Sequence, residues 1–394
     1  MYKLASNTWG KEELEVAGKL LASNNLTMGN YVKKFESSFA EYIGTKYAVM
    51  FNSGSSANLA IISALRYVRN SLVQDGDNII VPAVSWSTTY YPITQNNLIL
   101  NFVDVDVETL NIDVDKVEKS INSKTKAIFA VNLLGNPSNL IKLREIADKY
   151  ELILIEDNCE SLGASINGKR AGSFGEASTH SFFFSHHICT MEGGMVNTNS
   201  KELMETLISL RAHGWTRGLE KNNSVHTKSE NEWEDLYRFV LPGYNLRPTE
   251  LSGAIGLEQL SKFPIFLKNR RENAKHFIDK FAKSENYKVQ LENGNSSWFG
   301  FSIVLQNKLL GMRKEIISLL SKNDIETRPI VAGNFTRNPV MKHLSYLPIP
   351  ELPVANWVHD QGFFIGNHHF DVSKDIFRVY SLLREFELGI VKGQ

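Results

Sequence analysis

The amino-acid sequence predicts an α/β protein: a large domain with a mostly parallel sheet sandwiched by helices, followed by a smaller α/β domain. One observation is length, since 394 residues with 42% apolar side chains exceed what a single hydrophobic core usually organises. Another is that short apolar runs alternate with amphipathic segments from about residue 45 to 160. This alternation is typical of parallel strands joined by crossover helices.

The strand candidates of the large domain are short apolar runs, namely YAVMF, NIIVP, LILNFVD, AIFAVN and LILIED, and later STHSFFF and GGMVNTN. The helix candidates carry apolar residues at helical spacing, as in SANLAIISALRYV, NLIKLREIADKY and KELMETLISLRAHG. Together with an N-terminal helical segment, these elements predict a large domain over residues 1–260.

The remaining residues, 261–394, predict the smaller α/β domain. A long helical pattern, IFLKNRRENAKHFIDKFAK, leads into the strand-like run SWFGFSIVL. Further helical patterns lie around residues 312–323 and 374–387. The polar stretch from Gly218 to Asn231 predicts an exposed loop of the large domain.

Composition argues against several classes of function. The 43 Lys and Arg residues balance 43 Asp and Glu residues, so nucleic acid and membrane surfaces are not expected partners. Cys159 and Cys189 are too few to build a disulfide framework or an iron–sulfur cluster within one chain, and we expect no metal. We see neither a signal-peptide pattern nor an apolar stretch of ~20 residues, and we expect a cytoplasmic protein.

Two motifs place polar groups where strands end. In FNSGSSANLA, the turn from Ser53 to Ser56 opens into a helix, whose first N–H groups can hold a phosphate. Taken alone, this turn is more often a plain serine cap. In LILIEDNCES, a buried strand delivers Glu156 and Asp157 to its carboxyl end, the edge where open α/β sheets bind ligands. An isolated carboxylate there is more often a turn or capping residue.

A third motif, SFFFSHHICTMEGG, makes the pattern specific. The motifs follow one another as Ser53-Gly54-Ser55, then Asp157 with Glu160, then Ser181-Phe182 ahead of Glu192-Gly193-Gly194. In this order the chain resembles the sugar aminotransferase and dehydratase family of fold-type-I pyridoxal phosphate enzymes (DegT/DnrJ/EryC/StrS type). The resemblance continues through RAHGWTR and PGYNLRPTELSGAIGLEQL. It implies an aspartate aminotransferase fold, with a large domain that binds the cofactor.

One position departs from the family pattern. His186 stands where most members carry the cofactor-binding lysine, and no lysine occurs between Lys169 and Lys201. Together with VPAVSWSTTYYP and VNLLGNP, this change resembles the branch that removes the C3 hydroxyl of GDP-linked 4-keto-6-deoxymannose. The resemblance implies a lyase of dideoxysugar (colitose) and lipopolysaccharide O-antigen biosynthesis, with glutamate as amino donor.

The resemblance implies that the cofactor alternates between pyridoxal and pyridoxamine phosphate, and that His186 moves protons at the cofactor and at the departing hydroxyl. An imidazole suits both steps because it titrates near neutral pH. His187 is the competing candidate. Adjacent side chains of an extended segment point to opposite faces, and counting back from Glu192 selects His186 for the cofactor and leaves His187 in the wall.

Other roles also follow by resemblance. Asp157 is expected to pair with the pyridine nitrogen, Glu160 to face the ring hydroxyl, and Trp86 to lie over the ring, although Trp86 could equally be plain core. The remaining expected binding residues are Gly54, Ser55 and Ser181 for the phosphate, Asn245 for the phosphate of a partner subunit, and His213, Arg247 and Arg328 for glutamate or sugar. The reliance on Asn245 implies a homodimer with shared sites. Structural ion pairs remain an alternative for both arginines, and a structural role for His213.

Other functions remain open at this point. A related CDP-sugar dehydrase also carries histidine at the lysine position, but two cysteines cannot build its iron–sulfur cluster. A nucleotide-sugar aminotransferase, or a dehydratase of another nucleotide-linked sugar, is a further alternative. An inactive, cofactor-binding regulator would explain the missing lysine, although the retention of Asp157, Glu160 and Ser181 argues against decay.

Overall fold

A seven-stranded sheet forms the centre of the computed structural model, which describes residues 1–25, 27–68 and 71–393. The strands of this sheet are β1 (Tyr47–Phe51), β2 (Asn78–Pro82), β3 (Ile99–Val103), β4 (Thr125–Val131), β5 (Ile153–Asp157), β8 (Ala177–Ser181) and β9 (Gly194–Thr198). A separate two-stranded hairpin, β6 (Ser165–Ile166) and β7 (Lys169–Arg170), lies between β5 and β8 in the chain. The predicted runs therefore form strands, but STHSFFF does so only as far as Ser181, where β8 ends and the loop begins.

The strand order is β1-β9-β8-β5-β4-β2-β3. Strand β9 pairs antiparallel with β1 and with β8, whereas the other pairings are parallel. The predicted mostly parallel sheet is confirmed. Because β9 inserts between β8 and β1, the chain that joins β8 to β9 turns back at the sheet's carboxyl edge. The SFFFSHHICTMEGG motif lies in this turn.

Helices cover both faces of the sheet. They are α1 (Lys11–Ala22), α2 (Asn30–Ile43), α3 (Gly54–Tyr67), α4 (Ser87–Gln95), α5 (Val114–Ser120), α6 (Leu140–Lys149), α7 (Lys201–Arg211), the short α8 (Glu232–Asp235) and the long α9 (Glu250–Phe281). Helices α3 and α7 pack their apolar residues on one face, and α5 and α6 on the other. This arrangement buries nearly every side chain of the central strands, which explains their continuous apolar runs.

A second, three-stranded antiparallel sheet occupies the C-terminal part of the chain. It consists of β10 (Tyr287–Lys288), β11 (Gly300–Leu305) and β12 (Gly362–Gly366), covered by α10 (Arg313–Lys322), α11 (Pro353–Gln361) and α12 (Ser373–Gly393). Helix α9 passes through residue 260 without a break, and Tyr2 packs into the C-terminal hydrophobic cluster. The division of domains at residue 260 stays a prediction.

Candidate active site

A cavity of about 640 Å³ opens at the carboxyl ends of β4, β5 and β8, beside the start of α3. This is the edge at which open α/β sheets place their ligands. The cavity wall brings together many residues that are distant in the sequence. Among the predicted site residues, it contains Gly54, Ser55, Trp86, Asp157, Glu160, Ser181, His186 and Arg328.

The N-terminus of α3 forms one side of the cavity. Ser53 caps the helix, and its Oγ accepts a hydrogen bond from the backbone N–H of Ser56 at 3.0 Å. At Gly54, a Cβ atom would lie only 2.6 Å from Cβ of Ser181. The absence of a side chain at Gly54 thus lets the helix start meet the end of β8, where hydroxyls and N–H groups converge as an anion requires.

Asp157, the last residue of β5, is only 5% exposed, and its carboxylate is held by three donors. Oδ2 accepts hydrogen bonds from Nδ2 of Asn58 at 3.0 Å and from Oγ1 of Thr89 at 2.9 Å, while Oδ1 accepts one from the Cys159 N–H at 3.1 Å. These bonds fix the direction of the carboxylate. Sequence analysis missed Asn58 and Thr89. The position of Asn58, one helical turn after Gly54, was the available signal.

Glu160 lies next to Asp157 in the cavity wall. Its Oε2 accepts a hydrogen bond from the N–H of Leu134 at 2.9 Å, and Leu134 has a left-handed backbone with φ of 51°. Burial raises the pKa of the Glu160 carboxyl to about 7, the negative charge of Asp157 adds to the rise, and the Leu134 N–H opposes it. Glu160 is therefore a carboxyl that gains and loses a proton near neutral pH.

His186 is partly buried in the loop between β8 and β9, and its ring faces the cavity. Nδ1 forms a hydrogen bond with the carbonyl oxygen of Cys159. Because a carbonyl can only accept, the ring proton lies on Nδ1, and Nε2 carries the free lone pair. Burial lowers the pKa of His186 to about 4, although the Cys159 carbonyl and the charge of Asp157 act in the opposite direction.

His187 points away from the cavity and is only 1% exposed. Its Nε2 donates to the carbonyl oxygen of Ser297 at 3.1 Å, and its ring packs against Phe263 and Phe299. Burial holds the pKa of His187 well below its usual value. His186 thus faces the cavity and His187 the wall, but the segment is not extended: the N–H of His186 donates to the Phe183 carbonyl in a turn, so strand-like alternation does not account for the two directions.

Trp86 and Arg328 line the mouth of the cavity. Trp86 directly precedes α4 and leaves 58% of its surface exposed, so a flat ligand could cover its ring. Arg328 is exposed, and its guanidinium donates to the carbonyl oxygen of Thr327 at 2.9 Å. The remaining donors of Arg328 are free to meet an anionic group, as the described contacts show no acidic partner.

His213, Asn245 and Arg247 lie outside the described cavity lining. They form a cluster of their own, because the N–H of His213 donates to the Tyr244 carbonyl at 2.6 Å and Nε of Arg247 donates to Oδ1 of Asn245 at 3.1 Å. Asn245 and Arg247 are exposed. The expected roles of Asn245 at the phosphate of a partner subunit, and of His213 and Arg247 at glutamate or sugar, stay predictions.

Comparison with known proteins agrees with this geometry. The model of the DegT/DnrJ/EryC1/StrS aminotransferase family matches residues 7–384. The chain belongs to this family. Within the aminotransferase fold, its cavity is distinguished by the histidine, since none of the described lining residues is a lysine.

Similar proteins of this family are known in more detail. The chain is 48% identical over 386 residues to GDP-4-keto-6-deoxy-D-mannose 3-dehydratase of Yersinia pseudotuberculosis, covering 98% of each protein. The Escherichia coli enzyme of the same name, solved with bound hydrated pyridoxal phosphate, matches with a TM-score of 0.95 and 47% identity over 97% of this chain and 99% of that one. A structure of this dehydratase with a trapped pyridoxal phosphate–glutamate geminal diamine matches equally well, with a TM-score of 0.95, 47% identity and coverage of 97% and 100%.

In the part of the chain that the structure describes, no group of three or more His, Cys, Asp or Glu side chains could hold a metal ion. No described helix is both long and apolar enough to cross a membrane.

Proposed function

We propose that this protein is the 3-dehydratase of GDP-4-keto-6-deoxy-D-mannose, dependent on pyridoxal phosphate and glutamate. The products are GDP-4-keto-3,6-dideoxy-D-mannose, 2-oxoglutarate and ammonia. The proposal rests mainly on His186. This residue lines the cavity with an unprotonated Nε2, and it replaces the lysine that most members of the family carry. The names of the most similar relatives support the choice of sugar and nucleotide.

The cavity fits pyridoxal 5′-phosphate by the chemistry of its donors. The N–H groups at the start of α3, with the hydroxyls of Ser55 and Ser181, would hold the phosphate, and the exposed face of Trp86 would cover the ring. In addition, Oδ1 of Asn58 is buried with no partner among the described residues. When bound, the cofactor would supply a carrier for the amino group of glutamate and a path for electrons, so that the electron pair of the C–H bond broken at the cofactor carbon would leave with the C3 oxygen of the sugar.

Asp157 and Glu160 would address two edges of the cofactor ring. The Asp157 carboxylate, fixed by Asn58, Thr89 and the Cys159 N–H, would pair with the protonated ring nitrogen. Glu160 has one oxygen occupied by the Leu134 N–H, so its other oxygen would face the ring hydroxyl. With a pKa raised to about 7, Glu160 can share a proton with that hydroxyl.

His186 would both accept and donate the proton that the reaction moves. Its pKa of about 4 keeps the ring neutral at pH 7, with Nε2 ready to accept a proton from carbon. Once protonated, a ring with so low a pKa is a strong donor, and it would deliver the proton to the departing C3 hydroxyl. The bond between Nδ1 and the Cys159 carbonyl would hold the orientation of the ring during both transfers.

Glutamate and the partner subunit complete the proposal. Arg328 lies at the cavity and would bind a glutamate carboxylate, whereas Asn245, Arg247 and His213 would act across a dimer interface. The solved dehydratase with the glutamate adduct supports glutamate as amino donor. We place the reaction in the cytoplasm, which the small number of cysteines supports.

The test is incubation with pyridoxal phosphate, glutamate and a panel of nucleotide-linked 4-keto-6-deoxy sugars, followed by mass analysis of the products. The proposal requires a GDP-sugar product that has lost one oxygen atom and gained no nitrogen, with one 2-oxoglutarate formed per turnover. An amino sugar would identify an aminotransferase instead. Cofactor binding without any product or 2-oxoglutarate would identify a binding protein.

A further inference from the structure

A set of buried hydrogen bonds joins the N-terminal segment and α9 to the loop that carries His186. We call this set the Cys189 clamp; it consists of Thr8, Trp9 and Gln259 around Cys189. The N–H of Cys189 donates to Oε1 of Gln259 at 3.0 Å, and its carbonyl oxygen accepts from Nε1 of Trp9 at 2.9 Å. Both backbone groups of Cys189 are thus held by residues remote in sequence.

Gln259 is fully buried, and its amide has a partner in each direction. Oε1 also accepts from Oγ1 of Thr8 at 2.6 Å, while Nε2 donates to the Thr8 carbonyl at 3.2 Å and to Oε1 of Glu13 at 2.6 Å. The buried Glu13 carboxylate is in turn paired with Lys262 at 2.7 Å. A buried amide whose hydrogen bonds are all satisfied holds its neighbours in one arrangement, because any displacement leaves a buried polar group unpaired.

The loop depends on such contacts because residues 183–192 contain neither helix nor strand. Its ends are tied where Thr190 N–H donates to the Phe182 carbonyl and Phe182 N–H donates to the Gly193 carbonyl. Between these ends, Cys189 follows His186 by three residues. The clamp therefore fixes the loop on the C-terminal side of His186, three residues away, in addition to the bond between His187 and Ser297.

We propose that Gln259 and Trp9 are positioning residues that hold the Cys189 segment, and through it place the His186 imidazole in the cavity wall. The inference rests on the proposed function of His186 as the proton carrier. Neither residue is among those that line the cavity, so each acts through the loop. An imidazole displaced by about 1 Å can lose up to about 100-fold in rate, because proton transfer requires contact distance.

The first part of the test compares Trp9→Phe and Gln259→Met with the control Glu12→Gln. Phe keeps an aromatic ring but removes the N–H that bonds Cys189, and Met keeps the length of Gln259 without its amide. Glu12 contacts Lys262 at the surface and does not touch the clamp. We expect dehydration kcat to fall about 10- to 100-fold in the two clamp variants, with the KM for glutamate changed less than threefold. The control should keep wild-type kcat.

The second part measures His186 directly, in cofactor-free protein, by NMR of histidine-labelled samples from pH 8 to 5.5. The signal is assigned by its loss in His186→Asn. In the wild type, the ring should remain neutral across this range, because burial and the charge of Arg270 lower its pKa more than Asp157 raises it. In Trp9→Phe, a released ring should titrate toward its ordinary pKa of about 6.5. A merely structural role for the clamp would lower the unfolding temperature without moving this titration.

The two parts separate the possible failures. If wild-type protein forms no deoxygenated product while Trp9→Phe still changes the His186 titration, the proposed function fails and the positioning role stands. The positioning role is overturned if Trp9→Phe keeps wild-type kcat and an unshifted His186 signal. If Gln259→Met does not fold, Trp9→Phe decides the outcome alone.

Discussion

Replacement of His186 by Asn separates binding from proton transfer. Asn retains an N–H donor that can bond the Cys159 carbonyl, so the loop keeps its main contact at this position. The variant lacks Nε2, the unprotonated ring nitrogen in the cavity wall. His186→Asn should therefore still bind pyridoxamine phosphate and the keto sugar, but deoxygenate the sugar far more slowly.

The pKa of His186 sets the size of the effect. With a pKa of about 4, only about one ring in 1000 is protonated at pH 7, so almost every molecule has the proton-accepting form. The variant thus loses the whole contribution of general acid–base catalysis, typically about 100- to 10,000-fold. In activation free energy this is about 3 to 5 kcal/mol.

The assay is rapid mixing of the pyridoxamine phosphate form with sugar, with the 3-deoxy product quantified by mass. His187→Asn is the matched control, since its ring is buried against Phe263 and bonds Ser297, away from the cavity. The control should retain most activity in molecules that fold. The reasoning is refuted if His186→Asn deoxygenates the sugar at a rate near wild type, or if folded His187→Asn is the inactive variant.

Three further predictions concern the cofactor and stability. Borohydride treatment with pyridoxal phosphate should give no phosphopyridoxyl-lysine between Gly163 and Ser200, where Lys169 lies outside the described cavity lining; a labelled Lys169 would contradict the role given to His186. Gly54→Ala should weaken cofactor affinity about 10-fold or more, measured by equilibrium dialysis, because the new Cβ would lie 2.6 Å from Cβ of Ser181; unchanged affinity would show that the turn can open. Burial lowers the pKa of His180 to about 3. Below about pH 6.5, this histidine therefore binds a proton in the unfolded chain but stays neutral in the folded protein. The free energy of unfolding should fall by about 1.4 kcal/mol for each unit by which the pH is lowered. His180→Gln should reduce the pH dependence of the free energy of unfolding, measured by urea titrations between pH 7 and 5.5, relative to the exposed control His276→Gln. The same pH dependence in both variants would contradict this prediction.

Local sequence was sufficient to predict the main strands and helices and to identify the loop that carries His186. Each apolar run from YAVMF to LILIED forms a strand, because a run of buried side chains is specified within the strand itself. The order of the motifs gave the family. The expectation that His186 rather than His187 faces the cavity came from the spacing to Glu192, whereas the turn that holds the two rings apart is visible only in the structure.

The tertiary structure decided what surrounds those residues. Asp157 is oriented by Asn58 and Thr89, and Glu160 by the left-handed Leu134. Asn58 has a sequence signal in its position one helical turn after Gly54, whereas no local pattern links Thr89 or Leu134 to its partner. Their meeting depends on the strand order, which brings the ends of non-consecutive strands to one edge.

Sequence therefore determined the kinds of chemical group and the elements that carry them, because periodicity and motif order are local. It did not determine their hydrogen-bond partners or pKa values, as those depend on burial and on groups from remote parts of the chain. The depressed pKa of His186 and the Cys189 clamp, which joins Trp9 and Gln259, are both of this kind. Only folding removes water from His186 and places those residues beside its loop.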